Sequence, residues 1–450
     1  MNAERIKKQT KVRIPPIVWL PLILIGVFLV KSVNLSSDTR MSLGDNLLVK
    51  DDPTEAKQAG IEAFSKKDYQ KASAAFQKSL TQRPNDPETL IYLNNAKATD
   101  KNPLNIAVVV PIGSNLNIAQ EMLRGVAMAQ NEINQKGGIN GSLIQVKIVN
   151  DENDPAIAKQ VAEKLVKDNS ILAVVGHNAS NASVAAAPIY QQGRLVMITP
   201  TSFANDLSGF GSYIFRTVPT IRYMSDPVAE YVVKTAHKTK VAICYDSQSP
   251  DNVSSKDEFV ASLLSKGGNI APTVCDFSTP TFNPDRAIAD AVSSGADSLL
   301  LAPHIDRLEK AMEVARANQG KLALFSTPTL YTIKTFQSGQ GDVNGLVLPV
   351  PWYRKSESAQ AFANQARQIW RSEVNWRTAS AYDATRAMIV GLQNSQTREG
   401  LQGVLRSQGF VATGINGEVK FLPTGDRLGK ATLLQVQLTP SGYEFVPIKP

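Results

Sequence analysis

Asn178, Ala179 and Ser180 follow Gly176 and His177 at the end of the apolar run Ile171–Val175, and small residues continue to Pro188. This is the pattern of a buried parallel strand, a tight turn and a helix entered through an amide or hydroxyl. The first turn of a helix leaves N–H groups unpaired and carries partial positive charge. A hydroxyl placed there offers a carboxylate both hydrogen bonds and charge. In an open α/β sheet, the crevice beyond the strand ends is where ligands lie. Catalysis lacks its parts. His177 precedes Ser180 by three residues, but no GxSxG elbow surrounds any serine and no Walker lysine follows a glycine loop. GFGSYI, Gly209 to Ile214, lacks the third glycine of a dinucleotide fingerprint. DENDP, Asp151 to Pro155, lacks the turn glycine and bidentate glutamate of a calcium loop and reads as a loop with a helix cap. The residues present speak for recognition of an acid group, with no metal, no cofactor and no catalysis.

At 450 residues and 43% hydrophobic content, the chain has room for two or three domains with sizeable cores. Its net charge of +8 is unevenly spread. Arg5, Lys7, Lys8, Lys11 and Arg13 against Glu4 place half of it in the first thirteen positions, and no later stretch interleaves basic and aromatic residues. A nucleic-acid partner is excluded on that pattern. The two cysteines, Cys244 and Cys275, end apolar runs in neighbouring predicted strands. They read as two small buried residues, with a disulfide left open by the oxidising compartment inferred below.

The elements that must position these residues follow in order. Residues 14–30, IPPIVWLPLILIGVFLV, carry no charge and predict a membrane-spanning helix. Basic residues all precede it, which keeps residues 1–13 cytoplasmic and exports the rest. Residues 31–52 are polar and aperiodic, a linker. Residues 53–98 predict a helical hairpin and the start of a third helix. Its Gly60, Tyr69, Ala72, Phe76 and Pro84 stand at spacings that resemble a tetratricopeptide repeat. From Leu104 strands and helices alternate, as in a doubly wound parallel sheet. The rhythm restarts after Arg216, which predicts two α/β lobes of similar size facing across a cleft.

NEINQKGGINGSLIQVKIVNDENDPAIAKQVAEKLVKDN, then AVVGHNAS, then ITPTSF and IFRTVP resemble, in order and spacing, type I periplasmic binding proteins, above all the leucine/isoleucine/valine-binding subclass. The resemblance implies two Rossmann-like lobes joined by three crossovers near Thr220, Gly345 and Gly425. Lobe I would hold 104–220 and 346–424, and lobe II 221–345 and 425–450. It further implies that a ligand carboxylate is held by the loops at 177–180 and 199–203. Ser180 would bind through hydroxyl and N–H, with Asn178 and Ala179 beside it, and Thr201 through its backbone. Phe203 stands where a second hydroxyl is expected, with Ser202 one residue early, and Ile118 takes an apolar lid position. Lobe II departs from the pattern. Pro250 replaces the expected tyrosine, and residues 326–329 offer no acid for an ammonium. Asp246 or Asp251 would substitute from the facing loop, and His304 points toward the cleft.

The reading is a membrane-anchored extracytoplasmic solute-binding receptor. Its ligand would be an amino acid or related small polar carboxylate or amide, delivered to an ABC permease. The alternative is a ligand-free interaction protein of the cell envelope that docks a partner through residues 53–98. The missing lobe II acid favours that alternative, and the Ser180 loop opposes it.

Overall fold

The computed structural model describes residues 39–99, 102–415 and 417–449. The expected membrane helix 14–30 and the tail 1–13 lie outside the described residues. No described helix is long and apolar enough to cross a membrane.

Lobe I begins with β1 (Met41–Ser42) and three helices, α1 (Glu55–Ser65), α2 (Tyr69–Gln82) and α3 (Pro87–Ala98). The alternating run follows: β2 (Leu104–Val110), α4 (Leu116–Gln135), β3 (Ile144–Asn150), α5 (Pro155–Lys167), β4 (Ile171–Val175), α6 (Ser180–Gln192), β5 (Val196–Thr199) and β6 (Ile214–Pro219). Lobe II contains α7 (Ile221–Glu230), β7 (Lys240–Tyr245), α8 (Pro250–Ser265), β8 (Asn269–Ile270), β9 (Cys275–Asp276) and α9 (Pro284–Ser293). It continues through β10 (Ser298–Ala302), α10 (Leu308–Asn318), β11 (Ala323–Ser326), α11 (Ile333–Gly339) and β12 (Val347–Val350). The chain returns to lobe I for α12 (Gln360–Trp370), α13 (Trp376–Asn394), α14 (Arg398–Arg406), the small ribbon β13 (Ala412–Gly414) with β14 (Gly417–Val419), and β15 (Asp426–Arg427). It ends in lobe II with β16 (Thr432–Thr439) and β17 (Gly442–Pro447).

The sheet of lobe I runs β1-β3-β2-β4-β5-β6-β15, parallel except for β1. That of lobe II runs β17-β16-β12-β11-β10-β7-β8, parallel from β12 to β8 and closed by the antiparallel β16–β17 hairpin. The central strands are buried on both faces, which is why they read as continuous apolar runs. Sheet membership moves two boundaries. β12 pairs with β11 and β16, so the second crossover lies after Val350 and not at Gly345. β15 pairs with β6, so the third lies after Arg427 and not at Gly425.

Two expectations at the N-terminal side are corrected. Residues 39–49 are not a free linker: β1 pairs with the edge strand β3, and Leu48 and Val49 are buried. Nor do helices 53–98 stand apart. α1 and α2 do pack closely, and a Cβ on Gly60 would meet the Phe76 ring at 2.5 Å. But α3 is buried on nearly every side, against α4 and the edge of β3. The Asn95 side chain joins that edge as a strand would: its Nδ2 donates to the Val146 carbonyl at 2.8 Å, and its Oδ1 accepts the Val146 N–H at 2.9 Å. Lobe I thus covers the apolar face that one and a half repeats would leave open.

The cysteines are also corrected. Cys244 and Cys275 are register partners on β7 and β9 and form a disulfide.

Candidate functional site

The turn after β4 is held from three directions. Gly176 has φ +135°, and a Cβ there would lie 2.6 Å from the Val109 carbonyl oxygen, so only glycine fits. His177 is fully buried and faces away from the cleft, its Nδ1 2.7 Å from Asp151 Oδ2 and its Nε2 3.1 Å from the Tyr190 hydroxyl. Asp154, in the same DENDP loop, caps α5 by accepting from the N–H groups of Ala156 and Ile157. The carbonyls of the turn are caught by the next loop: Thr199 Oγ1 donates to His177 at 2.8 Å, and Thr201 Oγ1 to Asn178 at 2.8 Å. Their own acceptors satisfied, these groups fix the entry to α6. The N-cap residue there, Ala179, supplies no side-chain acceptor; Asn181 Oδ1 accepts the Ala182 N–H at 2.8 Å, which leaves the N–H groups of Ser180 and Asn181 for an outside anion.

Ser180, Ala179, Asn178, Thr201 and Phe203 line one wall of an inner chamber of about 40 Å³. The Ser180 hydroxyl accepts from the Phe203 N–H at 3.2 Å, which leaves its own hydrogen to donate. Lobe II closes the far wall with Asp251, His304, Ile305 and Thr329. Asp251 sits in the first turn of α8 and is the one carboxylate on this chamber among the described residues. His304 Nδ1 lies 3.3 Å from the Asp306 backbone nitrogen and 3.4 Å from Asp306 Oδ2, and its Nε2 is buried without a partner among the described residues.

Three predicted residues lie elsewhere. Ser202 is buried behind the wall, its hydroxyl engaged with Ser183 at 2.5 Å and Thr199 at 2.9 Å. Asp246 is held by Arg307 at 2.6 Å and lines a separate opening of about 490 Å³ on the other side of His304. No local pattern marks Arg307 as its partner, because that ion pair joins two loops of lobe II. Ile118 lines not the inner chamber but the adjoining outer cleft. This cleft is about 640 Å³ and is walled by aromatic residues such as Tyr331, Phe336, Tyr353 and Phe445.

Two residues that the sequence reading missed complete the chamber. Trp376 packs on Phe203, ring centroids 5.7 Å apart, and narrows the hollow. Arg377 lines both chambers, its guanidinium 4.6 Å from the Trp376 ring. It is 6% exposed, and burial pulls it down to about 10, against the opposing pull of Glu121. The only local signal was a Trp-Arg pair just after Asn375, whose side chain caps α13.

A chain that crosses three times between two open α/β sheets, leaving helix starts facing the gap, is built to close on something small. Its class is the two-lobed binding protein. Residues 103–442 match the family model described as periplasmic binding protein, and the chain belongs to that family. It is 34% identical over 148 residues to the leucine-, isoleucine-, valine-, threonine-, and alanine-binding protein of Pseudomonas aeruginosa. That stretch is 32% of this chain and 39% of the relative, so the alignment spans less than half of the relative's length. A leucine binding protein of Thermotoga maritima shares the fold with a TM-score of 0.68 at 18% identity, covering 77% of this chain and 99% of that one. A solute binding protein of an ABC transporter from Rhodopseudomonas palustris, solved with p-hydroxybenzoic acid, also gives 0.68 at 18% identity, covering 77% and 96%.

Proposed function

We propose that the chain is an extracytoplasmic solute-binding receptor that closes on an amino acid or related small carboxylate without altering it and presents it to an ABC permease. One observation carries the reading: the Ser180 hydroxyl and the uncapped start of α6 line a chamber whose opposite wall belongs to the other lobe. A ligand bridging that chamber binds the closed arrangement better than the open one, which is what drives closure. Asp251 takes the part of the acid missing from residues 326–329 and receives an ammonium. Residues 14–30 anchor the protein in the membrane, and helices α1 and α2 extend lobe I as a tetratricopeptide-like pair. The alternative in which residues 53–98 dock a protein partner draws no support from their packing, since α3 is already covered by lobe I.

Titration calorimetry of the full chain in detergent against amino acids, amides and small carboxylates tests the reading. At least one should bind, and Ser180→Ala should weaken it by roughly 10- to 100-fold, the worth of a hydrogen bond to a charged group. A flat response across the set from folded protein refutes it.

A further inference from the structure

Against the one carboxylate of the inner chamber, Asp251, the lining sets a guanidinium and an indole N–H that have no acceptor among the described residues. Arg377 has no hydrogen-bond acceptor and no carboxylate partner among the described residues, although it is more than nine-tenths buried. The nearest acid acting on it, Glu121, is engaged elsewhere: with Arg124 at 2.5 Å, with the Asn375 N–H at 3.1 Å and with the Thr378 hydroxyl. His304 Nε2 and Trp376 Nε1 are likewise buried without partners. Guanidinium and indole nitrogens can only donate. By contrast, two cations of the outer cleft are already neutralised, Arg124 by Glu121 and Lys355 by Glu444 at 2.7 Å.

An α-amino acid with an apolar side chain does not resolve this. Its carboxylate goes to the Ser180 loop and its ammonium to Asp251, and no acidic group of the ligand then meets the Arg377 charge. Buried donors without acceptors are costly, a buried lone charge more so. The location adds the second constraint. Arg377 and Ile305 are shared by the inner chamber and the outer cleft, so Arg377 stands where the two meet. The inner chamber, at about 40 Å³, holds an acid group and little more, and the remainder of the ligand has to pass Arg377.

We infer that the ligand carries a second anionic group read by Arg377, which makes an acidic amino acid or a small dicarboxylate the substrate class. The inference rests on the receptor reading above and narrows it. Arg377 is then the residue that sets specificity, forking two N–H groups toward the second acid as guanidinium does with carboxylates.

The test titrates the full chain in detergent with L-glutamate, glutarate and L-leucine, following heat and thermal shift. Glutamate or glutarate should bind at least about tenfold tighter than leucine, the worth of one charge-assisted hydrogen bond. Arg377→Gln should bring the acidic ligand and leucine to within about threefold of each other. Arg377→Lys, which keeps the charge and loses the fork, should retain part of the preference. Should Arg377→Gln not fold, the order of ligands on the unaltered protein and on Arg377→Lys decides. Leucine binding as tightly as both acidic compounds overturns the inference and leaves the receptor reading standing. Binding of none of the three, nor of any other compound in the wider set, overturns both.

Discussion

Glu88 decides whether the N-terminal helices are part of the receptor lobe or merely hang from it. Its carboxylate is wholly buried, and both oxygens are in use. Oε1 accepts from the Leu48 N–H at 2.9 Å, the Val49 N–H at 3.2 Å and the Tyr92 hydroxyl at 3.0 Å. Oε2 lies 2.7 Å from Lys57 Nζ, which also meets Asp86 at 2.8 Å. One side chain thus ties the 43–49 segment, α1 and α3 together. Glu88→Gln preserves the shape but removes a charge and, at the Oε2 position, turns an amide N–H₂ toward the Lys57 ammonium and the Val49 N–H, which only donate. Removing one partner of a buried pair costs about 3–5 kcal/mol; because Asp86 still faces Lys57, about 2–4 kcal/mol is expected here. For a chain of this size that lowers the melting temperature by roughly 2–4 °C. The assay is thermal unfolding together with hydrogen exchange, in which the amides of Leu48 and Val49 should lose protection first. An unchanged melting curve with unchanged exchange over 43–49 would refute the integrated-lobe reasoning.

The disulfide between Cys244 and Cys275 closes a loop of sequence separation 31, which is worth about 3–4 kcal/mol in the chain-entropy account. The double variant Cys244→Ala/Cys275→Ala should therefore melt lower than the parent, and reductant should lower the parent alone; equal melts with and without reductant count against the bond. Lys57 gives an alkaline signature: burial pulls its pKa down, but the carboxylates of Glu88 and Asp86 outweigh that and hold it above the usual lysine value. Its stabilisation is complete below the unfolded pKa, near 10.5, and is lost as pH rises through the higher folded value. Denaturant titration above pH 10.5 should show the parent losing stability faster than Lys57→Met; parallel losses refute the assignment.

What the sequence disclosed follows from how local each signal was. Strands such as β4 and β10 are buried on both faces, so their apolar runs announce them whatever lies around them. β12 carries Pro349 and β15 has only two residues, so neither shows a strand pattern, and the crossovers were placed a few residues early. β1 hides for the same reason, within a polar segment whose order comes from the edge of β3 and from Glu88. The Ser180 turn was legible because glycine, small residues and a helix start lie next to one another in the chain. Arg377 was not. α13 is buried along most of its length, with small residues between aromatics, and no local pattern says which of its residues meets a loop of the other lobe. The Arg307 partner of Asp246 was not legible for a related reason, since a buried acid takes whichever base the fold brings to it.

The closure proposed above needs rigid lobes and compliant crossings, and the third crossing has a sharp edge between the two. Asp426 and Arg427 are consecutive, both buried, and each is held by an opposite charge of lobe I. Asp426 takes Arg216 of β6, and Arg427 takes Asp383 of α13 at 2.6 Å. The two pairs face different elements, so β15 cannot swing about either without breaking the other. Separating a buried pair is expensive, which rules these bonds out as part of a low-energy hinge. The next residues are built differently: Leu428 is half exposed and Lys430 is exposed, and neither is tied into a sheet before β16 begins at Thr432. Bending at this crossing is therefore confined to residues 428–431. Because β16 pairs directly with β12, any movement there carries the sheet of lobe II as one body, and with it the His304 and Asp251 wall of the chamber.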